Sequence, residues 1–253
     1  MIHYDEYGND KNKTIVFLHE EGIVDSFCKQ YALADNYHIV VPHLFGAGKE
    51  VEEIYNPKKQ VMELKRVIGH LAKDDIILVG YSLGAGLAVM LVEECPQFFS
   101  KVVFCSPSMC DSKFTITIKT IKAHIKANTY KLPFVRNRLA NYMGFDEEQR
   151  KRYLDYAKNI AVEQYRAWYW NAMSIDECVH YRELEIPMLS ICGDNDDGGA
   201  GITAAELANS NPNCRIVQIK NSKKHYPARM ADEFNTILLE FLEKDIEIIP
   251  IER

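Results

Sequence analysis

Seventeen consecutive residues, Ile76 to Val92 (IILVGYSLGAGLAVMLV), carry no charge. A membrane-spanning helix needs about 20 predominantly apolar residues, so the stretch is short for a span. It also holds three glycines, with a tyrosine and a serine near its middle. A buried strand, a tight turn and a buried helix account for all of these at once. The turn is Gly80-Tyr81-Ser82-Leu83-Gly84, a G-x-S-x-G pattern. The bare pattern is weak, but an apolar strand (DIILV) runs into it and an apolar helix (LAVMLVEE) runs out. So sharp a turn strains the backbone at its central residue and requires small neighbours. It would expose the Ser82 hydroxyl at a helix N-terminus, where the dipole and free N–H groups favour developing negative charge.

The rest of the chain supplies a setting for that turn. Short apolar runs at Ile15–His19, His38–Val41, Asp75–Gly80, Lys101–Cys105, Pro187–Cys192 and Arg215–Ile219 read as strands. None alternates cleanly, as expected for strands covered on both faces. Helical spacing recurs between them, in Val61, Leu64, Val67, Ile68 and Leu71 after Pro57, and in Phe234, Ile237, Leu238, Phe241 and Leu242. Strands alternating with helices predict an α/β fold with a mostly parallel central sheet flanked by helices. The alternation stops between Ser106 and Glu185. Helical patterns around 116–127, 146–159 and 162–173 and both tryptophans fall in this stretch. βα crossovers are usually far shorter, so it reads as a helical insertion. The expected organisation is a core of residues 1–106 and 186–253 with a helical cap at 107–185. Phe114–Ile118 (FTITI) stands within the insertion as an ambiguous strand.

Composition narrows the function classes. A formal net charge of −6 argues against general nucleic-acid binding. The seven cysteines are odd in number and form no CxxC pair, which suggests neither a disulfide framework nor a zinc site. Reduced thiols and a polar, acidic start without an apolar core predict a cytoplasmic protein. No membrane association is expected, and the expected partner is a small-molecule substrate.

A serine nucleophile needs a base. Among eight histidines, His225 follows the sixth strand by a short polar stretch (KNSKKHYP), where α/β proteins place catalytic groups. His19 also ends a strand, and His180 stands on the other side of the sheet. His3, His38, His70 and His124 have unremarkable settings. An orienting carboxylate is offered by Gly193-Asp194-Asn195-Asp196-Asp197-Gly198 after the fifth strand, a loop that could equally be a plain polar turn. The order Ser82, acid, His225 follows the hydrolase order of nucleophile, acid and base.

Together these features resemble the α/β-hydrolase superfamily, in particular its small bacterial esterase-like members with a helical cap, over residues 13 to 244. The resemblance implies an eight-stranded, mostly parallel sheet; the short N-terminus here points to a missing first strand. It implies a Ser82–His225–acid triad, with Asp196 three residues past the strand-ending glycine as the acid and Asp194 as second choice. His225-Tyr226-Pro227 fits the family's His-x-Pro. It implies an oxyanion hole built from the N–H groups of Leu83 and Glu21. No metal or organic cofactor is implied.

Two departures stand out. His19-Glu20-Glu21-Gly22 replaces the usual His-Gly. Carboxylates beside a forming oxyanion would raise its energy, so Glu20 and Glu21 are expected to point outward or to meet a cation of the substrate or cap. After the next strand, Pro42-His43-Leu44-Phe45-Gly46-Ala47-Gly48-Lys49 replaces an Asp followed by Gly-x-Gly-x-Ser. The resemblance implies a serine hydrolase cleaving a small to medium ester. The insertion's aromatic residues suggest a mostly apolar pocket. C–C bond hydrolysis, a lyase step, or ligand binding without catalysis are the alternatives.

Overall fold

A computed structural model describes residues 1–109, 113–171, 174–196, 198–244 and 247–249, with the side chains of 113–120, 122 and 198 outside the description. Seven strands form one sheet: β1 (Tyr4–Tyr7), β2 (Thr14–Leu18), β3 (His38–Pro42), β4 (Ile76–Tyr81), β5 (Phe99–Cys105), β6 (Met188–Gly193) and β7 (Cys214–Ile219). Their order is β1-β3-β2-β4-β5-β6-β7. Only β1 is antiparallel, pairing with β3 from Tyr4↔Pro42 to Tyr7↔Ile39. Seven strands stand where the resemblance implies eight, and β1 closes the N-terminal edge.

The six predicted strands are present, and β1 is the addition. Its sequence, YDEY, is half polar because one of its edges is open. β2, β3, β4 and β6 are buried at every residue, as continuous apolar runs require. β7 departs from that expectation. It is the other edge, and Arg215, Ile216 and Gln218 are exposed.

Helices cover both faces. α1 (Pro57–Leu71) begins where Asn56 accepts the Lys59 N–H at 3.1 Å and Pro57 sets the first φ; it buries Val61, Leu64, Val67 and Ile68. α2 (Leu83–Glu94) follows β4 directly and is buried on nearly all sides, which is why its sequence shows no polar face. Between β5 and β6 run four helices: α3 (Lys113–Tyr130), α4 (Pro133–Met143), α5 (Glu147–Ala157) and α6 (Val162–Trp170). The ambiguous FTITI segment belongs to α3, where tertiary context overrides β propensity. The expected end of the last helix at Met173 lies outside the described residues; α6 ends at Trp170. α7 (Gly198–Ser210), α8 (Tyr226–Arg229) and α9 (Ala231–Glu243) complete the chain, α9 burying Phe234, Leu238, Phe241 and Leu242.

The helices between β5 and β6 are fastened to the loops at the sheet's C-terminal edge. Gln164 donates to the Phe45 carbonyl at 3.0 Å and accepts the Tyr55 N–H at 3.0 Å, while Trp168 also donates to Phe45. From α5, the Tyr156 hydroxyl accepts the Val24 N–H at 3.0 Å, and Arg152 ion-pairs with buried Asp25 and with Asp5 of β1. Helix α5 therefore grips the segment after β2, the one that carries Glu20 and Glu21. Among the described residues no helix is long and apolar enough to cross a membrane.

Candidate active site

The turn at the end of β4 has the strain that its sequence demands. Ser82 sits at φ 53° and ψ −112°, a region L-residues rarely adopt. A Cβ on Gly80 would come within 2.3 Å of the Gly84 carbonyl oxygen, and one on Gly84 within 2.1 Å of the Leu18 carbonyl oxygen. Only glycine fits at either place. The Ser82 N–H is tied to the Cys105 carbonyl of β5 at 2.9 Å, and the Ser82 carbonyl accepts the Ala85 N–H at 3.1 Å. Leu83 opens α2, so its N–H has no acceptor within the helix.

His225 also lies at positive φ, 73°, as the N-cap of α8. Its N–H donates to the Tyr81 hydroxyl at 2.6 Å, which couples it to the residue preceding Ser82. Its ring packs edge-on against Tyr142 of α4, with centroids 5.9 Å apart. Its Nδ1 lies 2.8 Å from Glu20 Oε1. Among the described residues, Glu20 is a carboxylate brought to this imidazole; Asp197, in the loop after β6, lies outside the described residues.

Glu20 and Glu21 both turn inward, which leaves the second of the two expectations, a cation to meet them, and are 2% and 8% exposed. The cation they meet comes from the loop just before His225: Lys224 Nζ is 3.2 Å from Glu20 Oε2 and 3.7 Å from Glu21 Oε2. Burial works to raise the Glu20 carboxyl, but His225 and Lys224 outweigh it and hold it well below the usual carboxylate range. Glu21 is likewise lowered, against its burial, by Lys224 and Lys126. Lys224 is held well above the ordinary lysine value by the same two carboxylates, although burial opposes this.

Glu21 also reaches the nucleophile. The Ser82 hydroxyl donates to Glu21 Oε2 at 3.0 Å. The side chain therefore engages the serine oxygen from the residue whose N–H is one of the two expected to form an oxyanion hole.

His19, the first residue of this loop, is fully buried. Its Nδ1 donates to the Glu20 carbonyl at 2.7 Å and its Nε2 accepts the Leu44 N–H at 3.0 Å. Burial pushes this imidazole down to about 4, so it stays neutral and pins the loop that presents the two glutamates.

The two aspartates chosen from the sequence lie elsewhere in the network. Asp194 accepts the Ser222 N–H at 3.0 Å and an Asn195 amide N–H at 2.8 Å, joining the β6 and β7 turns. Asp196 accepts the Ser106 hydroxyl, at the end of β5, where Ser106 has a φ of 41°. The structure thus brings Ser82, Leu83, Glu21 and His225 together and adds Glu20 and Lys224. The signal for Glu20 was the paired acids in place of His-Gly, but which way they point depends on Lys224, some 200 residues away in sequence.

Above these groups is a cavity of about 210 Å³ lined by the β2 loop, Lys126 and Tyr130 of α3, Tyr153 of α5, Tyr165 of α6, and Lys224 and His225. It is not the mostly apolar pocket expected from the insertion's aromatic residues. Trp168 is spent on packing, while Tyr130 lies beneath the Lys126 ammonium. Among the described residues no group of three or more His, Cys, Asp or Glu side chains is placed to hold a metal ion.

The sheet order, the strained turn and the helices on both faces define an α/β-hydrolase architecture. The chain belongs to the alpha/beta hydrolase fold family, whose model matches residues 13–221. No curated protein sequence matches it. Solved structures do match over nearly the whole chain. MenH from S. aureus is 20% identical, with a TM-score of 0.78, and 96% of this chain and 98% of that one are covered. The enol-lactonase from Burkholderia xenovorans LB400 is 19% identical, with a TM-score of 0.76 and 96% of each chain covered. A structure from work on carboxylesterases of the thaumarchaeon Nitrososphaera gargenis is 16% identical, with a TM-score of 0.75, covering 95% of this chain and 93% of that one.

Proposed function

We propose that the protein is a serine hydrolase that cleaves a small to medium ester through an acyl-enzyme. The observation that supports it best is a strained Ser82 at a helix N-cap, bonded to Glu21, next in the chain to the Glu20 carboxylate that holds His225 Nδ1. With its Nδ1–H donated to Glu20, the imidazole keeps Nε2 as its basic nitrogen. In this reading His225 takes the Ser82 proton as Oγ attacks the carbonyl carbon, and returns it to the leaving alcohol. Water then attacks the acyl-enzyme with the same histidine as base. Glu20 fills the orienting role that sequence order assigned to Asp196, with Asp194 behind it; Asp196 instead steadies the β5 turn through Ser106. The N–H groups of Leu83 and Glu21 would hold the oxyanion once the Glu21 carboxylate leaves Ser82. The substrate is a small molecule. Free thiols at all six described cysteines are in keeping with a reducing, cytoplasmic setting.

The Glu21–Ser82 hydrogen bond also favours a second reading. A carboxylate on the nucleophile suits a C–C hydrolase or lyase step, in which Ser82 acts as a hydrogen-bond donor or its proton passes to Glu21. A fluorophosphonate probe should label Ser82, and Ser82→Ala should abolish ester hydrolysis. Full turnover by Ser82→Ala would refute the acyl-enzyme, and a covalent acyl adduct trapped on Ser82 would exclude the lyase.

A further inference from the structure

We infer that the cavity lined by Glu20, Glu21 and His225 takes an ester that also carries a carboxylate, with Lys126 as the residue that receives the anion. The inference rests on the proposed ester chemistry for the reacting end and on the insertion for the other. On the sheet side both carboxylates already have cationic partners, Glu20 in His225 and Lys224, and Glu21 in Lys224. On the insertion side stands Lys126, which lines the cavity and has no carboxylate within 4 Å among the described residues. Its ammonium lies over the Tyr130 ring, 5.5 Å from the centroid.

Two donors flank it. Tyr153 and Tyr165 are 1% and 5% exposed, both line the cavity, and neither hydroxyl has a hydrogen-bond partner among the described residues. Each hydroxyl is therefore free to donate to an acceptor on a ligand or to water. Arg136 adds fixed positive charge within electrostatic reach of both phenols. Its Nη1 donates to the carbonyls of Tyr130 at 2.7 Å and Lys131 at 2.8 Å.

A cation with no described carboxylate at ion-pair distance, two phenolic donors and a second cation behind them make an acceptor-seeking wall opposite Glu20 and Glu21, which are themselves paired with Lys224. A carboxylate satisfies it: one oxygen can take the Lys126 ammonium and the other the phenols. The cavity, about 210 Å³, is smaller than most ligand sites, so the chain between the anion and the ester carbonyl must be short. Half-esters of short dicarboxylic acids fit that description.

The test uses a matched pair, monomethyl glutarate and methyl pentanoate, which differ in a terminal carboxylate against a methyl group. Binding is measured by calorimetry on the Ser82→Ala protein, where turnover cannot interfere, and hydrolysis on the wild type. We expect the half-ester to bind at least about tenfold more tightly than the neutral ester, and Lys126→Met to remove that preference. Tyr165→Phe, a single-oxygen deletion, should reduce the preference several-fold and serves if Lys126→Met does not fold. Preferential binding without hydrolysis of either ester would uphold the anion site and overturn the hydrolase reading. Equal binding of the two esters, binding of neither, or a preference unchanged in both variants would overturn the anion site.

Discussion

Glu21→Gln separates the two readings of Ser82 most sharply. The wild-type carboxylate accepts the Ser82 hydroxyl at 3.0 Å and, with its pKa lowered, is ionised at neutral pH. An oxyanion held by the N–H groups of Leu83 and Glu21 would form close to it. Two like charges about 4 Å apart repel by about 4 kcal/mol at an effective dielectric near 20. Lys224, 3.7 Å from the same carboxylate, offsets a good part of that. About 2 kcal/mol of opposition remains, or about 30-fold in rate. Glutamine has the same length and no charge, and Lys224 keeps Glu20 as its partner at 3.2 Å, so the substitution leaves no orphaned cation. For acyl transfer, Glu21→Gln should therefore raise kcat/KM for p-nitrophenyl acetate by tenfold or more, read at 405 nm as released nitrophenolate. Thermal unfolding checks that the fold is intact. A folded variant with a lower kcat/KM would refute the reasoning, since Glu21 would then be a working group, as the lyase reading requires.

Three other outcomes follow from the same network. Glu20→Gln should lower kcat by about 10³-fold while Asp196→Asn costs less than about tenfold, because Glu20 meets His225 Nδ1 and Asp196 accepts the Ser106 hydroxyl; the reverse ranking in steady-state kinetics would return the orienting role to Asp196. Arg152→Met should destabilise the protein by about 3 kcal/mol in urea unfolding, because it leaves Asp25, 1% exposed, as an unpaired buried carboxylate; a loss below about 1 kcal/mol would show that the insertion is not anchored there. Stability should fall with pH between about 6.5 and 4. His19 is pushed down to about 4 in the folded protein from an ordinary 6.5, so across that window the unfolded chain binds a proton the native state refuses. The His19 contribution is complete above 6.5 and about 3 kcal/mol is gone by pH 4; His19→Gln should flatten the slope in urea titrations at pH 7, 5.5 and 4.

Much of the fold was legible because buried parallel strands cannot hide their composition. Each of β2 to β7 is an apolar run in the sequence, and each was placed to within two residues. The strand missed was β1, whose YDEY sequence carries no burial signal because it forms an edge. Strand-like FTITI is helical because its neighbours in the insertion, not its own propensity, decide. Ser82 was legible for the same local reason as the strands: the glycines around it are dictated by backbone so close that a Cβ would meet a carbonyl oxygen at 2.1 to 2.3 Å.

The carboxylates were not legible in the same way. Asp196 has the right spacing from its strand, yet its oxygen is taken by Ser106, itself held at the end of β5 by a hydrogen bond from its N–H to the Ile191 carbonyl at 2.7 Å. Glu20 and Glu21 were legible as residues out of place but not as inward-facing ones.

By itself, the sequence determined the alternation of strands and helices, the strained serine turn and the candidate histidine, because these depend on local spacing, side-chain size and backbone freedom. Tertiary structure alone decided which carboxylate meets His225, that Glu21 rests on Ser82, and that the cavity has a cationic wall. Ion pairing in a buried site depends on distances of 3 to 4 Å between segments far apart along the chain, and Lys224, Glu20 and Lys126 acquire their relation only when sheet, loop and insertion close over one another.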